Sequence, residues 1–242
     1  MKGTKVVLGI VLALTLSLAG CDDGTVTSST QPGTQNNASI VCFGDSLTEG
    51  HGASSPGLVD KSKSYPAFLQ QKVTPPVVNA GISGDTAADG LARVDKDVLP
   101  QNPQMVIILL GANDSFRLRP ANATKTDLQD IINKIRSGNR KIYLASFIGS
   151  FDIKAAIVKL NPQISGLSVF LEEYKKEYEN MFSDLIEENK DIGFIPDIWK
   201  GVSPEIHMAD EIHPNAEGYR IMAENIFSVT KPYLEENNLV KK

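Results

Sequence analysis

The chain has 242 residues, of which 41% are hydrophobic and 22% are charged, an ordinary globular composition with enough length for one domain. Its formal net charge is -5, and the 24 Lys and Arg residues are spread along the sequence without a basic block. A basic surface is what attracts nucleic acid, so this class of partner is excluded.

The first twenty residues are typical of an export signal. Lys2 and Lys5 precede an uncharged apolar run at residues 6–18. This run is shorter than the roughly 20 residues that a helix needs to cross a bilayer, which disfavours a permanent membrane span. The ending Leu18-Ala19-Gly20-Cys21 resembles a bacterial lipobox, in which the cysteine is lipidated and becomes the new N-terminus. We predict a signal peptide at 1–20 and lipidation of Cys21; an ordinary signal peptide with an incidental cysteine is the alternative.

Residues 21–38 are predicted to be the lipidated cysteine and a flexible tether. Residues 22–38 are rich in Ser, Thr, Gly, Asn and Gln, and such a segment cannot bury enough apolar surface to fold. As a coil, the tether would hold the domain roughly 20 to 25 Å from the membrane. Loss of Lys2 and Lys5 takes the net charge from -5 to -7, so an anionic membrane would repel the domain and attachment would depend on lipid.

Apolar runs alternate with helical patterns through the predicted domain, residues 39–242. The candidate strands are residues 40–43, 77–80, 105–110, 142–147 and 192–195, and the candidate helices are 65–73, 87–99, 126–136 and 167–188, with a last helix beginning near Pro214. This alternation predicts a three-layer α/β/α sandwich around a five-stranded parallel sheet. Cys42 lies in the first strand and is predicted to be a buried core residue, without a disulfide partner.

A serine follows the first predicted strand, in Gly44-Asp45-Ser46-Leu47-Thr48-Glu49-Gly50. Open α/β sheets bind ligands at the carboxyl ends of their strands, where Ser46 would lie. A hydroxyl needs a base to become a nucleophile. His213 is the best candidate, because Asp210 three residues earlier can fix the tautomer of its imidazole. The sequence therefore predicts a triad of Ser46, Asp210 and His213.

The other two histidines are less suited to this role. His51 follows the serine turn too closely to fold back easily, and we interpret it as a polar loop residue. His207, Asp210 and His213 are spaced three apart and could in principle face a metal ion, but no Cys or further His completes a ligand set. We therefore predict that the site needs no metal and no organic cofactor.

Two further segments follow predicted strands and could supply oxyanion donors. Gly81 lies in Asn79-Ala80-Gly81-Ile82-Ser83-Gly84-Asp85, and Asn113 lies in Gly111-Ala112-Asn113-Asp114. A glycine exposes its backbone N–H, and an Asn amide supplies a side-chain N–H. Each segment alone would be interpreted as a turn. Asp45 and Asp85 also lie in turns, and we assign them structural roles.

The four blocks in this order resemble the SGNH hydrolases, also called the GDSL family, whose name-giving residues match Ser46, Gly81, Asn113 and His213. The stretches NAGISGDT, GLARV and DEIHPN are most similar to bacterial multifunctional acyl thioesterases, lysophospholipases and arylesterases. The resemblance implies a flavodoxin-like fold, a catalytic Asp210, and an oxyanion hole formed by the Ser46 N–H, the Gly81 N–H and the Asn113 amide. The rival α/β-hydrolase fold would place its serine in GxSxG at mid-chain.

The chain departs from that branch at two places. Ala112 and residues 115–118 stand where the branch often has GGND followed by a Gly-Leu-Arg-Gly run, which affects the expected pocket wall. Residues 149–168 form a long segment after the fourth strand, with helical spacing of its apolar residues. We expect either a helix packed on the domain or an amphipathic lid or acyl-binding wall.

The predicted function is hydrolysis of carboxylic esters or thioesters, such as aryl esters, short acyl esters or lysophospholipids, through an acyl-enzyme. The expected partners are a small acyl-ester or lipid substrate and, through Cys21, a bacterial membrane on its extracytoplasmic side, periplasmic or cell-surface. Two alternatives stay open: removal of acetyl groups from envelope polysaccharides, and a lipoprotein that keeps the fold only for binding.

Overall fold

Five parallel strands form one sheet in the order β2-β1-β3-β4-β5. The computed structural model describes residues 39–242. The strands are β1 (Ser39–Gly44), β2 (Val77–Gly81), β3 (Pro103–Leu109), β4 (Lys141–Ala145) and β5 (Gly193–Ile195). All of β1 is buried, as is expected for the strands of a parallel sheet covered on both faces. The predicted five-stranded α/β sandwich and its flavodoxin-like strand order are confirmed.

Eight α-helices connect and cover the strands within the described residues. They are α1 (Ser46–Glu49), α2 (Tyr65–Gln70), α3 (Ala87–Asp97), α4 (Ala112–Phe116), α5 (Ala121–Arg136), α6 (Ile153–Leu160), α7 (Ser168–Glu188) and α8 (Ala216–Glu236). None of these helices is long and apolar enough to span a bilayer. The predicted signal peptide, the lipidation of Cys21 and the tether lie outside the described residues.

Several predicted helix boundaries differ from the structure. The helices predicted at 65–73 and 87–99 end at Gln70 and Asp97, and the helix predicted at 167–188 begins at Ser168. The helix predicted at 126–136 begins at Ala121, because its first turn is held by the buried Ala121 and by Thr124, whose hydroxyl hydrogen-bonds Asp114. Both residues are small or polar, so the spacing of large apolar residues did not reveal this first turn of the helix. The last helix begins two residues after Pro214, because Asn215 is its N-cap and accepts hydrogen bonds from the N–H groups of Glu217 and Gly218.

The register of the sheet brings the carboxyl ends of three strands together. Gly44 at the end of β1 pairs with Gly81 of β2 on one side and with Leu109 of β3 on the other. The segments that follow these strands therefore meet at one edge of the sheet. That edge carries the predicted nucleophile and both predicted oxyanion segments.

Candidate active site

Ser46 is the first residue of α1, directly after β1. The carboxylate of Asp45 caps this helix by accepting a hydrogen bond from the Leu47 N–H at 3.0 Å. The strand can turn this sharply because Gly44 has no side chain: a Cβ there would lie 2.1 Å from Thr48 Oγ1 and 2.5 Å from the Leu109 carbonyl oxygen. Ser46 is 9% exposed, so its hydroxyl is enclosed but reachable.

His213 reaches Ser46 although 167 positions separate them in the chain. Its Nε2 lies 3.0 Å from Ser46 Oγ, and its Nδ1 lies 2.9 Å and 3.0 Å from the two carboxylate oxygens of Asp210. The structure therefore brings together the three residues predicted as a triad, with both imidazole nitrogens engaged. In this arrangement one nitrogen faces the hydroxyl and the other is oriented by a carboxylate.

The loop before α8 is a compact turn that fixes this geometry. The Asp210 carboxylate accepts hydrogen bonds from the backbone N–H groups of Ile212 at 2.9 Å and His213 at 2.8 Å. Ala209 N–H donates to the His213 carbonyl at 2.8 Å, and Asn215 N–H donates to the His207 carbonyl at 2.9 Å. The backbone of the loop thus holds the acid and the base in register.

Burial and hydrogen bonding set the charge states of this pair. Burial lowers the pKa of His213 below its usual value of 6.5, and His51 lowers it further, whereas Asp210 opposes both effects. Burial alone would raise the pKa of Asp210, but hydrogen bonds from the Ile212 N–H and from His213 bring it below its usual value. At neutral pH the arrangement is a neutral imidazole beside a carboxylate.

The prediction that His51 would not fold back is wrong. Its ring lies 4.3 Å from the His213 ring, centroid to centroid, at an angle of 40°. The chain reverses at Gly50 and Gly52, which have φ values of 98° and 82°, and the Tyr219 hydroxyl donates to the His51 carbonyl at 2.7 Å. Left-handed glycines allow a turn much tighter than sequence distance suggests.

The metal-ligand set that was considered from the sequence, His207, Asp210 and His213, is not assembled. His207 Nδ1 accepts a hydrogen bond from the Ser203 N–H at 2.9 Å, and His207 does not join Asp210 and His213. Within residues 39–242, the one group with metal-ligand spacing is His51, Asp210 and His213, whose candidate atoms lie within 4.8 Å of one another. A metal there would compete with the hydrogen bonds that His213 makes to Ser46 and Asp210.

The two predicted oxyanion donors lie at the same edge but already have partners. The Asn113 amide donates to the Asp85 carbonyl at 3.0 Å and, more weakly, to the Asp45 carboxylate at 3.4 Å. The Gly81 N–H donates to the Asn79 side-chain oxygen at 3.0 Å. Gly81 also has a packing role, since a Cβ there would lie 2.3 Å from the Glu49 nitrogen. The Ser46 N–H is the first of α1, where N–H groups have no intrahelical acceptor.

Asp45 and Asp85 occupy the structural positions that were predicted for them. Asp45 is fully buried, and burial raises its pKa to about 7, although the Leu47 N–H opposes this. Asp85 pairs with Arg93, whose Nε lies 2.5 Å from the carboxylate. Arg93 also donates to the carbonyls of Gly44 at 2.8 Å and Ala80 at 2.9 Å, which ties together the ends of β1 and β2. Sequence reasoning assigned no role to Arg93.

A small pocket adjoins Ser46, and most of its wall was not predicted. Its volume is about 10 Å³, room for roughly one water molecule. Aromatic and aliphatic side chains from four separate segments line it: Phe116, Phe147, Phe151, Trp199 and Ile212. Phe116 lies in the segment 115–118 that the sequence connected with the pocket wall, and Phe151 lies in the segment 149–168, for which a packed helix or a lid or acyl-binding wall was expected. The others follow β4 and β5, and only their distance in space from Ser46 identifies them.

Comparisons with known proteins agree with this geometry. The model of the GDSL-like Lipase/Acylhydrolase family matches residues 42–221. The chain is 28% identical to an arylesterase of Vibrio mimicus over 202 residues, covering 78% of this chain and 86% of the relative. It is 26% identical to thioesterase 1/protease 1/lysophospholipase L1 of Escherichia coli strain K12 over 203 residues, covering 82% and 86%. The crystal structure of TesA superposes with a TM-score of 0.64 at 26% identity, covering 80% of this chain and 98% of TesA.

The family match spans most of the chain and includes all the residues predicted for catalysis, and the fold is that of the solved relatives. The resemblance proposed from the four sequence blocks is thereby confirmed. The chain belongs to the GDSL-like lipase/acylhydrolase family and is a serine ester hydrolase.

Proposed function

We propose that Ser46 is the nucleophile, His213 the general base and acid, and Asp210 the residue that orients His213. The observation that carries this assignment is the chain of contacts from Ser46 Oγ through the imidazole to Asp210, with distances of 3.0 Å and 2.9 Å. A hydroxyl, an imidazole and a carboxylate in this order can perform acyl transfer.

The reaction has two balanced halves. Ser46 Oγ attacks the ester carbonyl carbon while its proton passes to His213 Nε2; the bond to the leaving alcohol or thiol then breaks, and that group takes the proton. Water next attacks the acyl-enzyme, again giving a proton to His213, which returns it to Ser46 as the acid leaves. The carboxylate of Asp210 stabilises the imidazolium in both halves.

The oxyanion of each tetrahedral intermediate would be bound by the Ser46 N–H, the Gly81 N–H and the Asn113 amide. Asn113 lines the pocket beside Ser46, which supports its role. The nearest present partners of Gly81 and Asn113 are a side-chain amide oxygen and a backbone carbonyl, both neutral, and Asn113 also makes a long contact of 3.4 Å to the Asp45 carboxylate. The two neutral acceptors would be exchanged for a charged oxyanion, and hydrogen bonds to charged acceptors are the stronger ones.

The proposed substrates are carboxylic esters and thioesters: aryl esters, short acyl esters or lysophospholipids. Relatives named as an arylesterase and as a thioesterase and lysophospholipase support this range. We further propose that the chain is exported and held by lipid on Cys21 at the extracytoplasmic side of a bacterial membrane, periplasmic or cell-surface, with residues 1–20 removed and residues 22–38 as the tether. The motif Leu18-Ala19-Gly20-Cys21 supports this location.

The assignment is tested by comparing two full-length proteins in a non-ionic detergent, the wild-type chain and its Ser46→Ala variant. The measured quantity is the rate of hydrolysis of p-nitrophenyl acetate. Ser137→Ala, an exposed serine beyond α5, is the matched control. We expect the Ser46 variant to lose hydrolysis and the control to keep it. Full activity in Ser46→Ala would exclude this nucleophile. Acetate released only from an acetylated polysaccharide would favour envelope deacetylation, and inactivity on both substrates would favour a binding module.

Lipid attachment is tested in cells that express the chain and grow in medium containing labelled palmitate. We expect label on the wild-type chain and recovery of that chain in the membrane fraction. The Cys21→Ala variant should carry no label. Unlabelled wild-type chain in the soluble fraction would contradict the proposed anchor.

A further inference from the structure

A second, much larger cavity lies beside the pocket at Ser46. We name it the α6 cavity: it has a volume of about 380 Å³ and lies between α6, which contributes Ala155 and Ala156, and the segments after β5, which contribute Val202 and Met208. A volume of this size is within the range of pockets that hold small organic ligands, whereas the pocket at Ser46 holds little more than one water.

Phe151 and Trp199 separate the two spaces. Both residues line both of them, and their rings stack at 4.5 Å between centroids and an angle of 18°. The stack is therefore the shared wall, with the nucleophile on one side and the α6 cavity on the other.

The two halves of this wall are held differently. Trp199 is buried, and its Nε1 donates to the Phe147 carbonyl at 2.8 Å while its backbone N–H donates to Asp197 at 2.9 Å. Phe151 is half-buried, follows the left-handed Gly149, and has a side chain that can make no hydrogen bond. Trp199 is thus the fixed side of the wall, and the ring of Phe151 is the side that can turn.

The lining of the α6 cavity is suited to an apolar chain. Seven of its twelve lining residues are apolar, among them Trp199, Val202 and Met208. The charged residues Asp152, Lys159, Asp210 and Glu211 also line it, and Lys159 of α6 lies 2.6 Å from Glu211, in the loop that carries Asp210 and His213. This ion pair bridges the helix to the catalytic loop, so an apolar chain would lie along the apolar residues with the charged groups beside it.

We propose that the α6 cavity binds the distal part of the acyl chain of longer esters, and that Phe151 is the gate between this cavity and Ser46. The inference rests on the proposed function. With the gate closed, the pocket at Ser46 accepts the first carbons of an acyl group. An apolar chain that extends further displaces the Phe151 ring and continues along Trp199 into the cavity.

The test compares p-nitrophenyl acetate, octanoate and decanoate on the full-length wild-type chain and on Phe151→Ala. Hydrophobic pockets distinguish substrates that differ by one methylene by roughly tenfold or more. We expect the wild type to prefer acetate, and Phe151→Ala to raise kcat/KM for decanoate relative to acetate by at least about tenfold. Phe170→Ala is the matched control, because Phe170 is exposed on α7 and lines neither space. An unchanged ratio in Phe151→Ala would overturn the gate.

A second substitution distinguishes the α6 cavity from any other route. Ala155 is exposed on α6 and lines the cavity, so Ala155→Trp fills the space without disturbing the core. In the Phe151→Ala background it should return the chain-length preference to acetate while hydrolysis of acetate persists. If decanoate stayed a good substrate in the double variant, the acyl chain would lie elsewhere and the cavity assignment would be wrong.

Binding can be measured without catalysis, because Trp199 is the single tryptophan of the sequence. Addition of decanoate as the free carboxylate, not as the ester, to the Phe151→Ala variant should shift or quench the fluorescence of Trp199. The response of the wild type should be weaker. Ala155→Trp adds a second reporter, so Ala155→Phe is used to block the cavity here. Binding without hydrolysis of any ester would contradict the proposed function and retain the cavity; hydrolysis of short esters without a fluorescence response would contradict the cavity alone.

Discussion

Both ring nitrogens of His213 have hydrogen-bond partners, and the pKa of its imidazole sets the pH above which Ser46 can be activated. Burial lowers the pKa of this imidazole, so it stays neutral at more acidic pH than a free histidine. Only the neutral form can accept the proton of Ser46. The acid limb of catalysis therefore reports the pKa of His213 in the free enzyme.

We expect kcat/KM for p-nitrophenyl acetate to fall as the pH drops, with a midpoint below 6.5. The measurement is a pH profile of kcat/KM. Asp45, whose pKa is about 7, is the nearby group that could add a second limb. Asp45→Asn is the control, because an asparagine can still accept the hydrogen bond from Leu47 but cannot titrate. A limb that disappears in this variant would belong to Asp45 rather than to His213.

Asn113 is the predicted oxyanion donor with the clearest experimental test, because Gly81 has no room for a side chain. Asn113→Ala should lower kcat by roughly 10² to 10³, with KM little changed, because the amide would act mainly in the transition state. Steady-state kinetics measure this split. A loss confined to KM would place Asn113 in ground-state binding, and full activity would exclude it from the oxyanion hole.

The connections at the sheet edge decide how these residues meet. The loop between β5 and α8 carries Asp210 and His213, and Asn215 closes it by capping α8. The Asn215 amide also donates to the Ile206 carbonyl at 2.8 Å. One residue therefore begins the helix and ties down the preceding loop.

Loss of this cap should be visible in stability. Asn215→Ala removes the side-chain acceptor of two α8 N–H groups and should lower the free energy of unfolding by about 1 kcal/mol. Denaturant unfolding measures the change, and Asn122→Ala, an exposed asparagine in the first turn of α5, is the matched control. An equal loss in both variants would mean that the cap contributes nothing specific.

The fold as a whole buries the thiol of Cys42, the cysteine within the described residues. Cys42 in β1 is 0% exposed, and burial raises its pKa to about 12, so its thiolate is scarce at neutral pH. We expect no reaction of Cys42 with a thiol reagent in the native protein and full reaction after denaturation. Thiol counting before and after unfolding tests this. Reaction of Cys42 in the native protein at neutral pH would indicate that the sheet opens locally.

The same measurement bears on the other cysteine. The sequence has two cysteines, and a lipidated Cys21 has no free thiol. The denatured chain should then present one reactive thiol. Two would contradict lipidation of Cys21 without affecting the burial of Cys42.

The fold class, the five strands and the grouping of Ser46, Asp210 and His213 at one place could be predicted from the sequence, because the signals are local. A buried parallel strand is a short apolar run, a strand-to-helix turn needs Gly and Asp at fixed positions, and an acid three residues before an imidazole can reach it within one tight turn. These patterns depend on residues that are near one another in the sequence, so they can be recognised without knowledge of the tertiary packing.

The tertiary structure alone decided the contacts between residues that are distant in sequence. His51 faces His213 because two left-handed glycines reverse the chain, which the sequence interpretation did not anticipate. Phe151 and Trp199 stack because the connections after β4 and β5 leave the same edge of the sheet. Their separation of 48 positions leaves no periodic trace. The sequence thus determined which chemistry the chain carries, and packing decided the walls of the space in which that chemistry meets a substrate.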